Sequence, residues 1–342
     1  MTAGAPRALE RLGVDQERIV LELLERAVVS TTGDRVGREL RSMVGVLAEE
    51  QASCRLPRYR LGAVHVPLLI AHGLVGRPAI GVPVAVVGGA IYVGADALDD
   101  LVDGDEPRYW RGQVSPGLVI ASASLFAVLG QLLVADVDAD ATVRAELQAK
   151  LSAMLVTLAE GQLLELGASS GRPSSATARE VAAAKSGQVL AAFAEMAALL
   201  AGADDEVRGR CHRLGHAIGM VRQVASDLDE LTRGHRSADL RTGAPTLPVA
   251  LHYESLPDAH REDLVWAIAA ARTDPRAADE LRARLLAGPA GRAAAIEVAL
   301  WAAEAHALLD ELSLERHAAA GLRELIDDAS PIRITDQEDT AS

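Results

Sequence analysis

Between Asp96 and Glu106 this 342-residue chain places six acids in eleven positions, directly after a run from 78 to 95 without a charge. On a helix, positions i, i+3 and i+4 share a face, so Asp96, Asp99, Asp100 and Asp103 point roughly the same way. Carboxylates this close raise one another's pKa. A hard divalent cation resolves the conflict, because Mg²⁺ takes oxygen ligands from a few carboxylates and completes its shell with substrate phosphates. The bland alternative is a solvated acidic helix end. Such ends usually alternate acids with Lys or Arg, and these do not.

A second acidic set follows about 125 residues downstream, Gln223-Val224-Ala225-Ser226-Asp227-Leu228-Asp229-Glu230. Gln223, Asp227 and Glu230 fall on one helical face at i, i+4 and i+7. Between the two sets lie Gly161-Gln162 and Lys185-Ser186-Gly187. Lys185 stands in an Ala-rich stretch with few polar neighbours in sequence.

The elements that must position these residues are helical. Ala, Leu, Arg and Glu dominate, all good helix formers, and 49% of the chain is hydrophobic. Apolar faces at helical spacing run through 15–50, 63–76, 79–103, 116–135, 138–169, 177–202, 204–232 and 257–328. No stretch shows the period of a strand and no repeat is evident. The organisation expected is a flexible N-terminus over 1–14, one all-α domain over 15–329 and a flexible acidic tail over 330–342.

Composition excludes several classes of partner. A formal charge of −14 leaves no basic patch for nucleic acid or anionic lipid. Two cysteines, Cys54 and Cys211, make no disulfide framework and suit a reducing, cytoplasmic compartment. The N-terminal stretch lacks an apolar h-region, so no signal peptide is expected. Residues 78–95 and 113–135 carry no charge, yet neither has a Lys/Arg-rich flank to orient it in a bilayer. Both read as buried helices of a large bundle rather than as integral membrane spans. His212 and His216 stand at i, i+4, but no third ligand is obvious and Arg210 and Arg213 crowd the pair.

Taken together, the motifs resemble those of the trans-isoprenyl diphosphate synthases. Asp99-Asp100-Leu101-Val102-Asp103 resembles their DDxxD motif, and Gln223–Glu230 their QxxDDxxD motif, with Ser226 and Glu230 at its first and last acidic positions. Gly161-Gln162, Lys185-Ser186-Gly187 and the segment from Asp239 to Pro248 resemble three further elements, in matching order over roughly 60–250. The resemblance implies the isoprenoid synthase helical bundle, its two acidic helices facing across a cavity. It implies Mg²⁺ held by Asp99, Asp100, Asp103, Asp227 and Glu230. The diphosphate of an all-trans allylic substrate would meet Arg111, Lys185 and Gln223, with Arg108 in reserve. Gln162, Tyr92 and Phe193 would line the cavity, and Gly94 and Ala95, both small, would floor it for a chain of C15 to C20 or longer.

The chain also departs from the pattern. Where chain-elongating members hold a second diphosphate with Lys, Arg and His, the matching positions carry Ala63, Val66 and Tyr92, and Ala244 replaces a loop Lys. Arg55, Arg58 and Arg60 could supply a displaced pocket. The missing cations favour loss of diphosphate followed by cyclisation of the carbocation, a terpene synthase. Prenyl transfer, to isopentenyl diphosphate or to another acceptor, is the alternative, and a non-catalytic partner subunit a third. Aromatics, at 3%, are few for holding cations over ring faces. A homodimer is among the assemblies left open.

Overall fold

The computed structural model describes residues 8–53, 61–105, 109–110, 114–169, 172–231 and 237–329, and every regular element among them is a helix. They are α1 (Ala8–Thr31), α2 (Asp34–Ser53), α3 (Gly62–Val75), α4 (Val82–Asp103), α5 (Pro116–Ala135), α6 (Ala141–Ala168), α7 (Ser175–Ala182), α8 (Gln188–Leu200), α9 (Asp205–Glu230), α10 (Ala238–Thr242), α11 (Leu247–Ser255), α12 (Asp258–Ala271), α13 (Pro275–Ala287), α14 (Ala290–Glu311) and α15 (Arg316–Ala329). The main core joins α3, α6, α8, α9, α14 and α15 through residues such as Leu69, Leu151, Phe193, Val221 and Leu325. A second cluster gathers α1, α2, α4 and α5 around Leu24, Met43, Tyr109 and Phe126.

Two seams bring backbones unusually close. On α4, a Cβ at Gly88 would collide with the carbonyl of Ala63 on α3, and on α9 a Cβ at Gly219 would collide with that of Ser186. Glycine at these points lets the helices approach to backbone contact. The second seam matters more, because it fixes the Lys185 segment against the helix that carries Asp227.

Several boundaries differ from the sequence expectation. The first helix begins at Ala8 rather than near residue 15. The helix expected over 177–202 is interrupted at Ala183–Gly187 by a π turn, a local widening often found at functional sites. The loop expected over 233–248 contains a short helix, α10. Ser237 Oγ accepts from Leu240 N–H at its start, and Gly243 closes it in the left-handed region at φ 73°. The basic loop at 54–60 and the acidic tail from 330 lie outside the described residues.

The two apolar helices also differ from each other. The 18-residue apolar window of α4 and its preceding turn is 67% buried, whereas that of α5 is 39% buried. By length and composition both could cross a membrane. α5 turns Val119, Phe126 and Leu129 into the second cluster and leaves Ile120, Val128 and Leu132 exposed. It is therefore a one-sided helix, not the buried centre of a bundle. Its weak periodicity hid this, since apolar residues occupy both faces.

Candidate active site

The C-terminal ends of α4 and α9 open on one cavity of about 740 Å³. On α4, positions 92, 96, 99 and 103 fall within roughly one face by the 100° step of a helix. Tyr92, Asp96, Asp99 and Asp103 all line the cavity, as do Asp100 and Asp105. From α9 come Arg222, Gln223, Ser226, Asp227, Asp229 and Glu230, and from α6 Gln162 and Glu165. The two acidic sets thus meet across one space.

Lys185 joins the walls. Its Nζ lies 3.1 Å from Asp99 Oδ1 on α4 and 2.5 Å from Glu165 Oε2 on α6. Burial alone would depress the ammonium pKa, but these two carboxylates outweigh it and hold it above the ordinary lysine range. The polar neighbours missing from its own helix are supplied by two others.

A second chain of contacts orders the α9 wall. Ser186 Oγ donates to Gln223 Oε1 at 2.6 Å, and Gln223 Nε2 donates to Asp227 Oδ1 at 3.0 Å. Asp227 Oδ2 accepts from the backbone N–H of Leu247 at 3.2 Å. Three separate sequence motifs are so tied to one carboxylate. Across the mouth, Arg241 of α10 pairs with Asp105, just beyond the end of α4.

Among the described residues, ten carboxylates line this cavity against four cations, Lys185, Arg222, Arg241 and Arg272. The excess has electrostatic consequences. Burial and the neighbouring Asp99 push Asp103 up to about 7. Burial pushes Asp227 up to about 6, despite the opposing hydrogen bonds from Gln223 and Leu247. Asp239, buried beside Asp227 and Glu230, stands well above the usual carboxylate range. Among the described residues, no three His, Cys, Asp or Glu form a ready-made metal cage. An oxygen-only, strongly anionic donor set of this kind fits Mg²⁺, which is bound by few carboxylates and keeps places for water and phosphate.

A family model for polyprenyl synthetases matches residues 97–284. The chain belongs to the polyprenyl synthetase family. Solved structures of similar fold include a polyprenyl synthetase from Streptomyces coelicolor A3(2), 20% identical with a TM-score of 0.73 over 92% of this chain and 97% of that one. A decaprenyl diphosphate synthase from Rhodobacter capsulatus is 18% identical, with a TM-score of 0.78 over 95% and 98%. A polyprenyl synthase from Caulobacter crescentus CB15, complexed with calcium and isoprenyl diphosphate, is 21% identical, with a TM-score of 0.75 over 95% and 97%. No curated protein matches the sequence.

Of the residues that the sequence singles out, Asp99, Asp100, Asp103, Asp227, Glu230, Lys185, Gln223, Gln162 and Tyr92 line one cavity. Arg108 and Arg111 lie outside the described residues. Three cavity assignments do not hold. Phe193 is fully buried in the main core. Gly94 points at α5, where an added Cβ would meet Ala123 and Phe126; it lies some 160° round the helix from Tyr92. Ala95 is half-buried and also absent from the lining. Tyr92 is therefore the first α4 side chain below the acids to bound the cavity. Glu165, Arg222 and Arg272 also line it without having been singled out, as do Asp96, read only as part of the acidic face, and Asp239 and Arg241, read only within a motif segment. Asp96 and Glu165 had a readable signal, since each keeps helical register with a motif residue, Asp99 or Gln162.

The histidine pair has a structural role. His212 Nδ1 lies 2.9 Å from Glu195 Oε2, and His216 meets Trp301 edge to face with ring centroids 5.6 Å apart.

Proposed function

We propose that this polyprenyl synthetase is a Mg²⁺-dependent prenyltransferase. It ionises an all-trans allylic prenyl diphosphate and couples the resulting cation to a second substrate, with isopentenyl diphosphate the acceptor to test first. The observation that carries this reading is the facing of Asp99 and Asp103 with Asp227 and Glu230 across one cavity, with Lys185 between the walls.

Asp99, Asp100, Asp103, Asp227 and Glu230 would hold the metal. When bound, Mg²⁺ supplies Lewis-acid stabilisation of charge on the departing diphosphate. Lys185 adds a fixed positive charge where that negative charge develops, which stabilises the transition state more than the ground state. Gln223 and the Leu247 N–H hold Asp227 in one orientation, so little reorganisation is needed when the substrate enters. Tyr92, on the cavity below the acids, would help keep water from the cation.

Cyclisation is the second reading, and one observation favours it. Ala63 and Val66 are buried in the main core and bring no charge to a second diphosphate. Against it, α9 brings a cation to the same place: the Nε of Arg222 lies 3.4 Å from where a Cβ on Gly62 would stand, at the first turn of α3. Arg241 and Arg272 line the same cavity. Together with the family membership, this supports transfer as the first reading. The assembly proposed is a homodimer that covers the exposed apolar side of α5.

One incubation separates the readings. Geranyl, farnesyl and geranylgeranyl diphosphates are supplied with Mg²⁺, each with and without isopentenyl diphosphate. Longer diphosphates formed only with isopentenyl diphosphate support transfer. A hydrocarbon or alcohol formed equally without it would overturn transfer in favour of cyclisation.

A further inference from the structure

A third hydrophobic cluster gathers Leu231, Leu240, Leu264, Ala271 and Leu281, and so binds the end of α9 and the short α10 to the hairpin of α12 and α13. Arg282 fastens the same joint, its Nε donating to the carbonyl of Leu231 at 2.7 Å. Ala271 is buried in that cluster, and the next residue, Arg272, is exposed at the end of α12 and lines the cavity. Its Cδ lies 3.5 Å from where a Cβ on Gly243 would stand, at the close of α10. The hairpin thus delivers a guanidinium to the cavity from a helix that carries neither acidic set.

The cations of the cavity are committed differently. Lys185 is paired with Asp99 and Glu165, and Arg241 with Asp105. Arg222 lies beside the first turn of α3. Arg272 makes no hydrogen bond or ion pair among the described residues, although ten carboxylates among them line the same cavity. A guanidinium is a planar fork of donors that matches the oxygens of a phosphate. A substrate whose hydrocarbon passes below the acids, towards Tyr92, has its terminal phosphate outermost, where an exposed side chain can reach it. We propose that Arg272 binds the terminal phosphate of the allylic diphosphate and so selects diphosphate over monophosphate esters. The inference rests on the prenyl diphosphate reading above. The contact is made alike before and during ionisation, so it adds to substrate affinity and not to the rate of the bound complex.

The test uses the full chain with Mg²⁺ and isopentenyl diphosphate. Release of diphosphate from geranyl, farnesyl and geranylgeranyl diphosphates is measured, and the monophosphate ester of the best substrate's alcohol serves as a competitive inhibitor. Arg272→Ala is expected to raise KM for the allylic diphosphate about tenfold, within the range for hydrogen bonds between charged groups, with kcat within about threefold of the wild type. Inhibition by the monophosphate is expected to stay as in the wild type. Arg272→Lys keeps the charge without the fork and is expected to recover part of the affinity. Arg276→Ala removes an exposed arginine of α13 that does not line the cavity and is expected to change neither constant. Because Arg272 is exposed and makes no bonds among the described residues, its variants are expected to melt with the wild type. An unchanged allylic KM in Arg272→Ala, a loss confined to the KM of isopentenyl diphosphate, or an equal weakening of both esters overturns this inference alone. No diphosphate release by the wild type from any prenyl diphosphate overturns the reading of the site and this inference with it.

Discussion

The ammonium of Lys185 lies 3.1 Å from Asp99, across the gap between a π turn and the acidic end of α4. With Glu165 on its other side, it is a cation kept in place by two anions, which in the proposed reaction it would share with a diphosphate. Lys185→Ala removes the charge proposed to face the leaving group. It is expected to lower kcat for diphosphate release by about 10²–10³, the usual cost of losing one preorganised charge contact. Steady-state release assays at saturating Mg²⁺ check this, and a change confined to KM would refute it.

The raised carboxylates predict a metal-dependent stability profile. Asp103 is pushed up from 3.8 to about 7 and Asp227 to about 6. In this window the folded state binds more protons than the unfolded one. Metal-free stability is then fullest below about pH 4 as far as these two groups are concerned, and is lost as pH rises through 6 and 7. Thermal melts in chelator should fall from pH 5.5 to 7.5, and Mg²⁺ at pH 7.5 should restore the loss. Asp103→Asn is expected to flatten the metal-free slope and to raise Tm at pH 7.5 by about 2 °C or more, while abolishing turnover. A slope unchanged by this substitution would show that Asp103 carries none of it.

Asp99→Ala and Asp227→Ala remove one ligand from each wall. Each is expected to abolish diphosphate release, and unchanged activity in both would refute the facing-wall metal site.

Tyr92 bounds the cavity one turn below Asp96. Tyr92→Ala should lengthen the products by one or more five-carbon units, read by chromatography of the dephosphorylated alcohols. A product distribution identical to the wild type would place the floor elsewhere.

The exposed residues Ile120, Val128 and Leu132 form the face proposed to be covered by a second copy. Sedimentation is expected to give a dimer for the wild type and a monomer for Val128→Asp with Leu132→Asp. A wild-type monomer would remove the assembly.

The sequence by itself determined the helical class, the two acidic sets and Lys185. These are local matters: carboxylates at i, i+3 and i+4 share a face whatever surrounds them, and Ala-Leu-Arg-Glu segments make helices. Tertiary structure decided which face of α4 looks into the cavity. The resemblance assigns Gly94 and Ala95 to the cavity floor, but the packing of α5 against Gly94 turns that position away and leaves Tyr92 and Asp96 inside. It also decided what accompanies each charge. Glu165 reaches Lys185 from 20 positions away and the Leu247 N–H reaches Asp227 from the same distance, while Tyr109 meets Asp96 across a turn. Contacts of that range depend on how the helices are stacked, through seams such as Gly219 on Ser186, and stacking leaves no period in a single chain.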